Sequence, residues 1–197
     1  MVAVNKLWST SLALCMLLCA APALAQIQTQ GEQVFPGKLM IGFHPLGGSI
    51  DLRGDGGRYK FTADIAGRLA TAGPLGIYLG GGLNYGVLPR ATNTNHDVQV
   101  WAFVMLTMER LVKFPIVPFV QAGFGTDIFL IDSAYDRGTF AIRLGAGAHY
   151  WITRNVGLGL ETHFTFGPEF IANRGGRPAV TDGYGQWDIL VGGRFAF

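Results

Sequence analysis

The sequence predicts an all-β fold: an eight-stranded antiparallel up-and-down transmembrane β-barrel with short turns at one end and longer loops at the other. Three observations carry the prediction. After Gln26 no stretch reaches the roughly 18 uninterrupted apolar residues of a membrane helix, so any membrane span must be made of strands. Apolar and polar residues alternate with a period of two in segment after segment, which gives a strand two unlike faces. The connections between these segments alternate between short and long, as successive hairpins of such a barrel do.

The chain opens with a different pattern. Residues 1–25 read as a cleaved secretory signal peptide, with one cation at Lys6, an apolar run, and Ala23-Leu24-Ala25 as a small-residue cleavage site before Gln26. The run is short for a membrane anchor of about 20 residues. Both cysteines, Cys15 and Cys19, lie inside it, and Leu14 and Leu18 precede them where a lipid-acceptor cysteine usually follows a small residue. The exported chain is therefore expected to carry no cysteine, which removes disulfides, thiol nucleophiles and cysteine-ligated metals. Residues 26–37 form a glutamine-rich periplasmic lead, and 38–197 the barrel. Without the leader the chain is about 170 residues long, the size of one domain.

Composition narrows the function classes. Fifteen Lys and Arg nearly balance 13 Asp and Glu, and no basic stripe points to nucleic acid. The 29 glycines have no collagen-like period and accompany 12% aromatic and only 14% charged residues.

Eight segments alternate: Lys38 to Pro45, Tyr59 to Leu69, Leu75 to Gly86, Val98 to Leu111, Val117 to Ile131, Thr139 to Ile152, Val156 to Gly167 and Gly185 to Phe197. In "TFAIRLGAGAHYW", Phe140, Ile142, Leu144, Ala146, Ala148 and Tyr150 share one face, while Ala141, Arg143, Gly145, Gly147 and His149 share the other. "VGLGLETHFTF" divides in the same way. Short links fall at 70–74, 113–116 and 153–155, and longer polar ones at 46–58, 87–97, 132–138 and 168–184. An even strand count puts both ends of the barrel on one side, the periplasmic one.

The face that points outward decides what kind of barrel this is. A soluble lipocalin-like carrier would turn the bulky apolar face inward around a ligand. The polar face here is rich in glycine and alanine with a few charges, unlike the lysine- and glutamate-rich skin of a soluble protein, so the apolar face is expected to point outward. Small residues suit the narrow interior of eight strands. Tyr59, Tyr85, Phe140, Tyr150, Phe166, Phe195 and Phe197 would then form two interfacial girdles. Gly80 to Gly82 read as a tight bend, and Pro118 as a tolerated strand terminus.

On the leader, the eight alternating segments and the terminal "RFAF", the chain resembles the small outer-membrane β-barrel family, the group that includes the OmpA transmembrane domain and the OmpX and Ail type barrels. The resemblance spans essentially the whole exported chain. It implies residence in the outer membrane of a Gram-negative cell, among lipids and lipopolysaccharide. It also implies a C-terminal assembly signal read by the barrel assembly machinery. Phe197, Phe195, Val191 and Ile189 match that signal, and Gly193 departs from it. No further domain is expected after Phe197. The family fold hosts adhesins, enzymes and structural proteins alike, so the resemblance speaks to location more than to role.

Parity places Lys60, Asp64, Arg68, Glu109, Asp127, Arg143, Glu161, His163, Asp188 and Arg194 inside. Mixed signs let them pair into a salt-bridged plug, because each charge would be costly to bury alone. The alternative is an ion path, and eight strands leave no room for a large pore. "ETHFTFGPEF" puts Glu161, His163 and Thr165 on one face, in a pattern that resembles the histidine, serine and glutamate of outer-membrane lipid A deacylases sharing this barrel type. A hydroxyl near a histidine suits base-assisted attack. Here the hydroxyl is Thr165 rather than serine, Phe166 stands where an asparagine would come next, and parity turns the trio inward, which favours a paired interior cluster.

"DLRGDGGR" sets Arg53-Gly54-Asp55 in the first long loop, where the tripeptide of integrin ligands would be displayed; a plain solvated turn explains it as well. The longest loop, Gly167 to Gly183, carries Phe170, Ile171, Arg174 and Arg177, which could grip anionic lipopolysaccharide or an extracellular partner. His44, His96 and His149 show no close metal spacing, "YLGGGLNYG" opens no helix that could cradle phosphate, and no cofactor is expected. The function expected is structural or interactive, without enzymatic activity. The alternatives are a lipid A deacylase-like hydrolase using His163, Thr165 and Glu161, and a soluble lipocalin-like carrier.

Overall fold

The computed structural model describes residues 37–52, 57–89, 94–109, 115–131, 134–172 and 178–197. The expected leader, the lead up to residue 36, the Arg53-Gly54-Asp55 tripeptide, and Arg174 and Arg177 lie outside the described residues.

Eight strands form one closed barrel: β1 (Leu39–Asp51), β2 (Gly57–Ala72), β3 (Leu75–Pro89), β4 (Thr94–Thr107), β5 (Ile116–Ile131), β6 (Ala134–Trp151), β7 (Val156–Ala172) and β8 (Pro178–Ala196). Each pairs antiparallel with its sequence neighbours, and β1 closes on β8. The alternation read from the sequence becomes two faces. In β4, Asp97, Gln99, Trp101, Phe103, Met105 and Thr107 are buried, while Val100 and Val104 are exposed between them.

At the terminal end, where β1 begins and β8 stops, two connections obey local turn chemistry. Between β2 and β3, Gly73 adopts φ +58°, a left-handed conformation that a residue without Cβ takes at little cost. Between β6 and β7, Thr153 Oγ1 accepts the backbone N–H groups of Asn155 (3.2 Å) and Val156 (3.0 Å), and Asn155 Nδ2 donates to the Ala196 carbonyl at 2.6 Å. That turn is thereby tied to the last strand.

At the far end the strands run well beyond their expected ends. The long polar links shrink to residues 52–56, 90–93, 132–133 and 173–177, while at the other end β4 stops at Thr107 and the link to β5 is eight residues, 108–115. Two prolines explain much of the difference. Pro45 and Pro168 lack a ladder N–H and read as strand ends, yet β1 and β7 continue past both because each sits at a bulge. The β1 register shifts within Phe43–Gly47 against both neighbours, and β7 shifts between Gly167 and Glu169.

The interior is also bulkier than expected. Trp101, Phe103, Phe119, Trp151, Tyr78, Met40 and Met105 are buried alongside the small residues, and most gather toward the terminal end as an apolar floor completed by Ala66, Val117 and Ala196. Gly80 and Gly82 are not a bend: the ladders to β2 and β4 pass through them without a shift. They make room instead. A Cβ at Gly82 would run into the Trp101 ring, and one at Gly80 into the Phe103 ring. Gly125 and Gly123 clear the other flank of the same two side chains.

The apolar face points outward. Tyr59, Tyr85, Phe140, Tyr150, Phe166, Phe195 and Phe197 are all exposed, Tyr59 at 66% and Phe197 at 65%. A lipocalin-like carrier needs the opposite assignment, so that alternative fails on the burial of the polar face.

Candidate functional site

Polar side chains from all eight strands converge in the barrel interior above the apolar floor. The deepest group is centred on Arg194 of β8. Its Nη1 and Nη2 donate to the two carboxylate oxygens of Asp64 at 2.9 and 3.1 Å, and Nη2 also donates to Glu161 Oε1 at 2.8 Å. Two carboxylates thus share one planar fork, the arrangement that makes a buried arginine tolerable. His44 Nε2 lies 3.0 Å and His149 Nε2 3.3 Å from the same Glu161 oxygen, and His163 Nε2 lies 3.6 Å from its other oxygen. His149 also stacks on Phe119, with ring centroids 4.4 Å apart, which joins the polar group to the floor.

The next layer up holds Arg143, Lys60 and Asp188. Lys60 Nζ is 3.3 Å from Asp188 Oδ2 and 3.8 Å from Asp97 Oδ2, and Arg143 Nη2 is 3.7 Å from Asp188. Arg143 also lies over the Trp101 ring at 4.3 Å and contacts His163 Nδ1 at 2.9 Å. Amides knit the layer above: Gln99 Nε2 donates to Asp127 Oδ2 at 2.5 Å and to Gln186 Oε1 at 2.9 Å, and Asn84 Nδ2 donates to Gln99 Oε1 at 2.7 Å. Near the far rim, Arg58 bridges Asp97 (3.2 Å) and Asp51 (3.6 Å) and covers the Phe129 ring. Below the floor a separate group pairs Arg68 Nη2 with Glu109 Oε1 at 2.7 Å, and Tyr78 Oη donates to the same oxygen at 3.0 Å.

Lys60, Asp64, Arg143, Glu161, His163, Asp188 and Arg194 therefore meet in one column. Asp127 joins it through Gln99, and Arg68 with Glu109 stands apart at the terminal end. The sequence placed His149 on the same face as Arg143 without assigning it a partner, and missed His44, Arg58, Asp97 and Asp51. Arg58 and Asp97 continue the parity of β2 and β4 by one more step, so extending those strands would have found them. Asp51 could not be found that way, because the β1 bulge reverses the parity beyond Pro45: Met40 and His44 face in at even numbers, Ser49 and Asp51 at odd ones.

The Glu161, His163 and Thr165 trio is buried and does not form a nucleophile–base pair. One His163 nitrogen faces Arg143 and the other Gln121, while Thr165 Oγ1 makes no hydrogen bond among the described residues. Base-assisted attack needs the hydroxyl within hydrogen-bond reach of the base. No three His, Cys, Asp or Glu side chains among the described residues are arranged to hold a metal ion. The Arg194 guanidinium occupies the space between the carboxylates that a cation would need.

Outside, Ile189, Val191, Phe195 and Phe197 line the exposed side of the last strand. Phe197 exchanges both backbone hydrogen bonds with Leu39, at 2.9 and 3.1 Å, so the final residue takes part in closing the barrel.

No protein-family model matches the chain, and no curated protein matches its sequence. Solved structures do match. Neisserial surface protein A (NspA) aligns over 81% of this chain and 95% of its own, at 12% identity and a TM-score of 0.56. The outer membrane enzyme PagL aligns over 81% of this chain and 99% of its own, at 13% identity and a TM-score of 0.53. The fold is that of the small eight-stranded outer-membrane β-barrels. The outer membrane protein OprG from Pseudomonas aeruginosa, at 9% identity, extends the likeness to 85% of this chain, with a TM-score of 0.53. A surface protein and an enzyme share this barrel, so the likeness carries the fold and leaves the role to the chain's own residues.

Proposed function

We propose that this chain is an integral outer-membrane barrel with a structural or surface-interaction role, held rigid by its interior and working through the connections at its far rim. The observation that supports it most is the inversion of burial. Charged and amide side chains fill the interior, while Ile, Leu, Val and Phe face outward around the whole wall. Such a surface is stable only against hydrocarbon. The paired column and the apolar floor beneath it fill the interior with buried side chains, which supports a role without a large pore. In this reading the termini lie in the periplasm, Phe197 with Phe195, Val191 and Ile189 addresses the chain to the assembly machinery, and lipopolysaccharide surrounds the outer half. The segments bearing Arg53-Gly54-Asp55 and Arg174 with Arg177 face the outside of the cell and are the candidates for an extracellular partner.

The reading is tested by membrane fractionation and then gel mobility of cold and boiled samples. A chain that enters the outer-membrane fraction and shifts on boiling supports it; a soluble, unshifted chain refutes it. The hydrolase reading keeps the PagL fold likeness in its favour. Against it stand the inward burial of Glu161, His163 and Thr165 and the lack of any bond between Thr165 and His163. Release of acyl chains from lipid A by the purified chain, lost in Thr165→Ala, would reinstate it.

A further inference from the structure

The outer wall is interrupted where β1, β2 and β8 meet. Gly48 pairs with Tyr59 on one side and Ile189 on the other, and Ile50, one outward step along β1, pairs with Gly57 and Trp187. Side chains are thus missing at two diagonal positions, Gly48 and Gly57, inside a frame of Ile50, Tyr59, Trp187 and Ile189. The result is a cavity of about 540 Å³ that opens outward. Nothing lies within 4 Å of where a Gly48 Cβ would be, so the space is not taken by a neighbouring side chain.

We propose that this trough is a binding site for one acyl chain of a bilayer lipid in the leaflet at the far end of the barrel. Three features select that occupant. Tyr59 and Ile189 stand two strand spacings apart, about 9–10 Å between backbones, which leaves the width of a single chain between their side chains. The frame offers no indole donor to a headgroup, because Trp187 Nε1 already donates to Thr162 Oγ1 at 2.6 Å, and its ring is held parallel to Phe164. A protein partner would need an interface of roughly 20–30 residues a side, whereas this trough is lined by nine. The site belongs to the exposed apolar belt and so rests on the membrane-barrel reading.

Trp187 supplies its own probe. Trp101 and Trp151 are 6% and 0% exposed inside the barrel, so Trp187 alone among the described tryptophans faces outward. The experiment uses protein purified from membranes, carrying Trp8→Phe, and reconstituted into phosphatidylcholine vesicles in which a fraction of the lipid bears a dibrominated acyl chain. Tryptophan quenching is compared for the parent protein, Gly48→Leu, which fills the trough, and Gly67→Leu, which fills an outward glycine equally free of neighbours elsewhere on the wall. Strong quenching in the parent and in Gly67→Leu, with most of it lost in Gly48→Leu, is the expected result. Equal quenching in all three would reduce the trough to ordinary lipid contact and overturn the proposal. So would quenching that falls as protein is concentrated in the vesicles, which would place a second barrel in the trough. Gel mobility of each variant before and after boiling separates these outcomes from failure to insert, which would count against the membrane reading itself.

Discussion

Arg194 and Asp64 are joined by two hydrogen bonds, 2.9 and 3.1 Å, that pass over Gly42 of the strand between them. Gly42 pairs with both residues in the ladders, and a Cβ there would strike the Asp64 carboxylate. The ion pair therefore depends on a residue that takes no part in it. Asp64→Ala leaves the guanidinium with Glu161 as its remaining carboxylate partner and is expected to cost about 3–5 kcal/mol, the usual penalty for breaking a buried pair. Gly42→Val should fall in the same range without changing a charge. Urea unfolding of the refolded barrel measures both; a shift in Gly42→Val within experimental error would show that the pair does not need the open row.

A second expectation concerns the aromatic residues and the glycines beside them. Gly82→Leu forces its side chain against the Trp101 ring and should destabilise the barrel by about 1–3 kcal/mol or more through overpacking. Trp101→Ala alone should cost about 3–5 kcal/mol through the cavity it leaves. Combining the two should cost less than the sum, since each relieves the other. Strict additivity in the double mutant would count against direct contact.

The floor and the column predict a quiet barrel. In planar bilayers the purified chain should show no steady single-channel current, since Met40, Met105, Phe119 and Trp151 close the interior below the charged layers. Open events at neutral pH with defined conductance would contradict the closed interior.

Thr165→Ala provides the chemical control. Thr165 Oγ1 is buried without a hydrogen bond among the described residues, so its removal should leave stability within about 1 kcal/mol and leave gel mobility unchanged. Phe197→Ala should likewise refold in detergent, because its ties to Leu39 are made by backbone atoms. Its assembly in cells should slow if the terminal ring is read by the assembly machinery.

Most of the barrel is legible in the chain because a period of two is a local signal. The in-or-out assignment of Phe140 to Tyr150, or of Gly157 to Phe166, needs no knowledge of the neighbouring strand. Strand ends are less legible. Pro45 and Pro168 stop a strand in any local reading, and only the bulges that absorb them carry β1 and β7 onward. The same bulge hides Ser49 and Asp51 by reversing the parity. The charged members of the column can be named from the sequence, but not their pairing: Lys60 meets Asp188 across 128 residues of sequence, and only the closed ladder brings them together. His44 and His149 show nothing in their spacing along the chain, because their partner, Glu161, belongs to another strand.

The glycines that flank Trp101 and Phe103 have a consequence for the barrel's shear. Alternation alone fixes the alignment of two strands only to within two residues, because a slip by two keeps every side chain on its own face. Around this wall, bulk and emptiness are matched as well. Sliding β3 by two residues against β4 in one direction would set Asn84 beside Trp101, and in the other would set Tyr78 beside Phe103. Of the three alignments, only the observed one gives both rings a bare backbone to lie against. The missing side chains thus act as a key that selects one offset between strands, and with it one barrel diameter.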